Sequence, residues 1–155
     1  MVPLDLIDRQ LLEELQCDGR ATNIEIADRV GLSPSACLRR TRRLEEAGVI
    51  AGYAMLIEPR AIDRHVDVFV EISLENQTEE RLDAFEAAVV LCPRVMSCHL
   101  MAGAADYLLH LAVADTSDYE QIHRQYLSNL PGVASIRSNF AMRTVHSTTA
   151  YGLGE

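Results

Sequence analysis

Apolar residues recur at helical spacing through the first third of the chain and at mixed strand and helix spacing through the rest. Leu4, Ile7, Leu11 and Leu15 form a helical stripe, with Asp5 placed to cap the helix and Asp8 in its first turn. Asp18-Gly19 ends that helix. Thr22 followed three residues later by Glu25 has the form of a capping box and starts a short helix over 25–30, with Ile26, Ala27 and Val30 inward. Gly31-Leu32 makes a tight turn. Ser33 then caps a third helix with Pro34 at its first position, and Gly48 stops it. At about 100° per residue, Cys37, Thr41 and Leu44 fall on one side of this helix. Ser35, Arg39, Arg42 and Arg43 fall opposite, and Arg40 lies near the border.

The stretch 49–57 (VIAGYAMLI) is apolar and β-prone and predicts a short strand leaving the helical region, broken by Glu58-Pro59-Arg60. Beyond it, Val66, Val68, Val70, Ile72 and Leu74 alternate with more polar residues, the signature of a half-buried strand. Thr78-Glu79-Glu80 starts a helix with Leu82, Phe85 and Val89 inward, stopped at Pro93. Strands over 95–101 and 107–113 flank a tight turn at 103–106. Thr116 or Ser117 caps a second helix bearing Tyr119, Ile122, Tyr126 and Leu130, and a last strand over 133–145 puts Ile136, Phe140 and Met142 on one face. The fold class is therefore α+β: a three-helix, helix-turn-helix domain followed by a ferredoxin-like βαββαβ domain with both helices on one sheet face. The expected spans are 1–50 for the helical domain, 51–62 for strand and hinge, 63–146 for the second domain and 147–155 for a flexible tail.

Composition adjusts this picture more than it redirects it. Net charge is −9, which argues against a nucleic-acid partner until its distribution is considered. All 14 basic residues are arginines, and four of them lie between Ser33 and Arg43, where no acid occurs. Arginine reaches guanine edges bidentately and grips phosphate, so this face suits the DNA major groove. The plain alternative is a solvated basic face, and for Arg40 a guanidinium paired with a neighbouring acid is an equal alternative. The four cysteines (17, 37, 92, 98) lie in apolar periodic segments and read as reduced core residues. The five histidines show no metal-ligand spacing, and no nucleophile elbow, phosphate loop or dinucleotide glycine motif occurs. No metal and no cofactor are expected. Without a membrane-length apolar run or a leader pattern, a cytoplasmic location is expected.

The residues also carry a family resemblance. Asp18-Gly19-Arg20, Gly31-Leu32-Ser33-Pro34, Cys37-Leu38-x-Arg40, Arg43-Leu44-Glu45 and Gly48-x-Ile50-x-Gly52-Tyr53 resemble the N-terminal region of the Lrp/AsnC regulators, and the likeness runs to about residue 146. It implies a sequence-specific DNA-binding transcriptional regulator, with Ser33, Ser35, Arg39, Arg40, Arg42 and Arg43 at the DNA. It also implies an amino-acid or related small-molecule effector bound between dimers, near Gly103, Ala104, Asp106 and Tyr107, with Thr116, Phe140 and Ala141 in the pocket wall. In that setting glycine lets backbone N–H groups approach a carboxylate, and Asp106 pairs with an α-ammonium. The alternative is that Gly103 and Asp106 are turn residues. Many effector-responsive members carry Asp and then an aromatic where this chain has Ala104 and Ala105, which removes a polar group from the loop tip. The uncovered sheet face predicts a homodimer through stacked sheets, whose two heads would meet successive major grooves of a pseudo-palindromic operator. The family assembles such dimers further, into octamers among other states. Siroheme decarboxylases resemble the same two-domain architecture and supply the alternative, enzymatic reading; the intact arginine-bearing helix favours the regulator.

Overall fold

The computed structural model describes residues 2–154; Met1 and Glu155, at the outer ends of the expected 1–50 and 147–155 spans, lie outside the described residues. The described residues divide into two compact units, Ile57–Thr144 and residues 2–56 with 145–154, so residues 145–154 join the N-terminal helices.

Three helices build the N-terminal unit: α1 (Leu6–Cys17), α2 (Asn23–Arg29) and α3 (Pro34–Glu46). Each begins where a side chain satisfies otherwise orphaned backbone donors. Asp5 accepts from the Asp8 N–H while Asp8 accepts from the Asp5 N–H, and Thr22 and Glu25 make the same reciprocal pair on α2. Gly31 and Gly48 take φ of 67° and 70° after α2 and α3, a left-handed conformation that glycine adopts without strain. The amphipathic stripes meet in a small core of Leu11, Ile26, Ala27, Cys37 and Leu44. Cys17, expected in that core, is instead exposed, because it sits on the last position of α1 beyond the stripe. All four cysteines are free thiols.

The caps give this unit an acid limit. The Asp8 backbone N–H and then Arg40 hold the Asp5 carboxyl below its ordinary value of 3.8, and hydrogen bonds from Thr22 hold Glu25 below 4.5. A carboxyl depressed by folding stabilises the folded state above its unfolded pKa and loses that contribution as pH falls through its folded value. The urea midpoint of the N-terminal unit is therefore expected to be flat from neutral pH down to about 5 and to fall below about 4. A midpoint unchanged down to pH 3 would contradict the capping account.

The expected flexible tail makes defined contacts. Tyr151 N–H donates to the Gln16 side chain at 2.6 Å, whose amide donates back to the Tyr151 carbonyl at 3.1 Å, and Arg9 donates to the Leu153 carbonyl at 3.1 Å. The strand expected over 49–57 is not formed. Residues 51–57 take no regular structure and are exposed, with Met55 and Leu56 facing solvent, while Ile50 packs against the helical core; among the described residues of this chain no strand pairs with the stretch.

The second unit is the expected βαββαβ: β1 (Val66–Leu74), α4 (Glu79–Val89), β2 (Val95–Leu100), β3 (Tyr107–Val113), α5 (Thr116–Gln125) and β4 (Val133–Phe140). The four strands are antiparallel in the order β2-β3-β1-β4. Alternation aims Val68, Val70, Ile72, Leu109 and Leu111 at Phe85, Val89, Tyr119 and Ile122 of the helices. Three local expectations are corrected. Asp115, not Thr116 or Ser117, caps α5, because its carboxylate reaches the N–H groups of both Ser117 and Asp118. A 3-10 turn over Leu127–Asn129 follows α5, rotating Tyr126 outward and burying Leu127 in its place. The last strand ends at Phe140 rather than at 145, leaving Met142 beyond it and fully exposed rather than on one strand face with Ile136 and Phe140.

The sheet face away from the helices is mixed. His110 donates to Asp67 at 2.8 Å and stacks on the exposed ring of Phe69, while Arg137 lies 3.6 Å from Glu71. His99 and His110 stand diagonally across β2 and β3, and His110 is engaged with β1 instead. Among the described residues no cluster of three or more His, Cys, Asp or Glu is arranged to hold a metal.

Candidate DNA-recognition helix and effector loop

α3 is held at its start and along one side. The Ser33 hydroxyl accepts from the Ala36 N–H at 3.3 Å and lies 3.2 Å from the Ser35 hydroxyl, while the Asn23 side chain donates to the Pro34 carbonyl at 2.8 Å. Cys37 and Leu44 are buried, and Thr41 donates back to the Cys37 carbonyl.

The four arginines divide into two pairs. Arg40 donates from one nitrogen to Asp5 at 2.7 Å and to Asp8 at 2.8 Å, and Arg43 pairs with the other Asp8 oxygen. Asp8 is 0 % exposed, a carboxylate wholly enclosed between α1 and α3 and neutralised by two guanidinium groups of α3. Arg39 and Arg42 face solvent with no ion-pair partner among the described residues, beside the exposed Ser35. The arrangement frees two charge-bearing donors for an anionic partner and uses two to fix the helix that carries them. Sequence reasoning placed Asp8 only as a first-turn acid. Its spacing from Asp5 was the visible signal, and its partners on α3 were not visible.

The expected effector residues fall into two groups. Gly103, Ala104, Asp106 and Tyr107 lie where β3 begins, level with Ile72 of β1. Thr116, Phe140 and Ala141 lie at the other end, where Val113 and Val66 pair and Phe140 stands opposite Val68. β3 alone separates the two groups by about 20 Å, at roughly 3.4 Å per residue. One chain does not bring them together.

Within the loop, Asp106 accepts from the Leu74 N–H at 2.7 Å and from the Gln77 side-chain amide, so its carboxylate fastens the loop to the end of β1. Tyr107 is buried, stacked 4.4 Å from Phe85, and donates to Glu86 at 2.8 Å; burial and that carboxylate push its hydroxyl well above the usual tyrosine range. Gly103 and Ala104 are exposed. Gly103 has no positive φ and a Cβ there would meet nothing within 4 Å, so nothing inside this chain demands glycine. At the other end, Phe140 packs edge-on to Tyr119 at 5.1 Å, and Thr116 faces solvent. Asp106→Ala is expected to cost the second unit about 1–2 kcal/mol by orphaning the Leu74 N–H, with or without small molecules present. Calorimetric melting checks this; an unchanged melt would free Asp106 from its turn role.

Comparison with known proteins matches both units. Residues 4–51 match a family model described as a winged helix-turn-helix DNA-binding domain, and residues 67–151 match the Lrp/AsnC ligand binding domain. The chain belongs to the Lrp/AsnC family. It is 45% identical to the leucine-responsive regulatory protein of Salmonella typhimurium over 142 residues, 92% of this chain and 87% of that protein. An HTH-type transcriptional regulator of Sinorhizobium fredii is 50% identical over 116 residues, 75% of this chain and 91% of its own. A transcriptional regulator from Neisseria meningitidis, solved in complex with L-Met, superposes with a TM-score of 0.91 at 34% identity, covering 96% of each chain. As an Lrp/AsnC protein the chain is a DNA-binding transcriptional regulator with α3 as the second helix of its helix-turn-helix. No helix among the described residues is long and apolar enough to cross a membrane.

Proposed function

We propose that Arg39, Arg42 and Ser35 contact operator DNA from α3, with Ser33 presenting the helix N-terminus, while Arg40 and Arg43 hold α3 in position through Asp8. The observation that carries this reading is the division of the four arginines between a buried carboxylate and open solvent. Two chains dimerise through the mixed sheet face and present two such helices to successive major grooves about 34 Å apart. The bound small molecule is an amino acid. Its support is the L-Met held by the Neisseria relative, together with an exposed loop tip at which Gly103 places no side chain over its backbone. The two groups of effector residues, remote within one chain, then come from different subunits, and the pocket is completed by assembly beyond the dimer, up to an octamer. Effector binding shifts that assembly and so changes the spacing of the DNA-binding heads.

The test is retardation of the gene's own promoter duplex at two salt concentrations, with and without each amino acid, alongside the sedimentation profile. Salt-sensitive retardation that one amino acid alters, together with a change in assembly size, is expected. Retardation and sedimentation indifferent to every amino acid would overturn the effector reading and leave DNA binding in place.

A further inference from the structure

Leu38 is an apolar side chain on the polar side of α3, 41% exposed. Single exposed leucines are ordinary on protein surfaces, and this one gains meaning from its neighbours. It lies about 40° around the helix from Arg42 and about 60° from Ser35, on the flank away from the Asp8 clamp. Leu38, Ser35, Arg39 and Arg42 line one shallow open concavity on α3, shared with the clamping Arg40 and Arg43 and with a single acid, Glu46. Neither Arg39 nor Arg42 has a carboxylate partner among the described residues, so a partner of this surface is anionic and also offers an apolar group within the width of one helix. The major groove of duplex DNA combines these features: phosphates along its walls, guanine acceptors on its floor, and the 5-methyl group of thymine as its apolar landmark.

We propose that Leu38 packs against the 5-methyl group of a thymine and thereby specifies one A·T pair in each half-site. This rests on α3 being the recognition helix, and it adds an apolar contact to the charged ones. The arginines then supply affinity and guanine contacts, while Leu38 discriminates thymine from cytosine at a neighbouring position.

The test uses duplexes selected from a randomised pool by the full-length protein, with each thymine replaced in turn by deoxyuridine, which removes only the methyl group. For the unaltered protein, one position per half-site is expected to lose about fourfold in affinity, and a symmetric double replacement about fifteenfold, the scale of one buried carbon per contact. Leu38→Ala is expected to bind the unmodified duplex more weakly while showing no further loss on deoxyuridine at that position, with its melting temperature retained. Because the thymine replacements are made on the DNA, they test the contact even if the variant folds poorly. Indifference of the unaltered protein to every deoxyuridine would overturn the assignment, as would an equal penalty in Leu38→Ala. Failure of the unaltered protein to select any duplex would instead overturn the recognition-helix reading, and this contact with it.

Discussion

Replacing Asp8 with alanine is expected to destabilise the N-terminal unit by about 3 kcal/mol, at the lower end of what breaking a buried ion pair costs. The side chain is 0 % exposed and does three things at once: it accepts from the Asp5 N–H, from Arg40 and from Arg43. Its removal orphans a donor at the start of α1 and leaves two guanidinium groups facing each other across the gap. Arg40 retains Asp5, and Arg43 is partly open to water, which keeps the loss from being larger. Because the five-residue core of this unit is small, such a loss is a large share of its stability. Hydrogen exchange of the α1 and α3 amides in the full chain reads the effect directly. Protection unchanged within about 1 kcal/mol would mean that water already screens the network.

Removing Arg39 and Arg42 together is expected to do the opposite. Neither side chain is paired, so the fold should be unmoved, within the roughly 0.5 kcal/mol typical of surface changes. Affinity for a selected duplex should fall by about 100-fold or more, since each arginine contact to a base or phosphate is worth about 1–3 kcal/mol. Where these contacts are to phosphate, the dependence of binding on salt should also become shallower, by up to about 1.8 in the logarithmic slope for two lost contacts. An acidic protein of net charge −9 has little other basic surface to compensate. Binding by the double variant at near-native strength would place the DNA contacts elsewhere.

Local signals made the N-terminal unit legible. Thr22 with Glu25, and Ser33 with Pro34, are helix starts whose partners lie within three residues, and the structure forms both. Strand alternation in 66–74 and 107–113 carried the second unit in the same way. What sequence did not reveal is long-range. Asp8 reads only as a first-turn acid until its partners, 32 and 35 residues away, fold against it. Asp106 reads either as a ligand for an ammonium group or as a turn residue, and the Leu74 N–H that takes one of its oxygens lies 32 residues earlier, out of sight of local pattern. The stretch 49–57 has strand propensity without a strand to pair with, and propensity alone does not form a ladder. The separation of the two effector groups was within reach of sequence reasoning, because a single uninterrupted strand, β3, joins the Gly103 loop to Thr116 and so sets them at opposite ends. Leu38 was visible as a letter in a motif; its exposure beside Arg42 required the fold.

The most direct test of the account is to measure duplex affinity and melting temperature side by side for Arg39→Ala, Arg42→Ala and Arg40→Ala. Arg39→Ala and Arg42→Ala are predicted to lose about tenfold or more in affinity with unchanged melting. Arg40→Ala is predicted to lower the melting temperature first, with any loss of affinity following from the loosened helix. If Arg40→Ala melts normally and loses affinity as Arg39→Ala does, the division of α3 into a clamping side and a DNA-reading side is wrong.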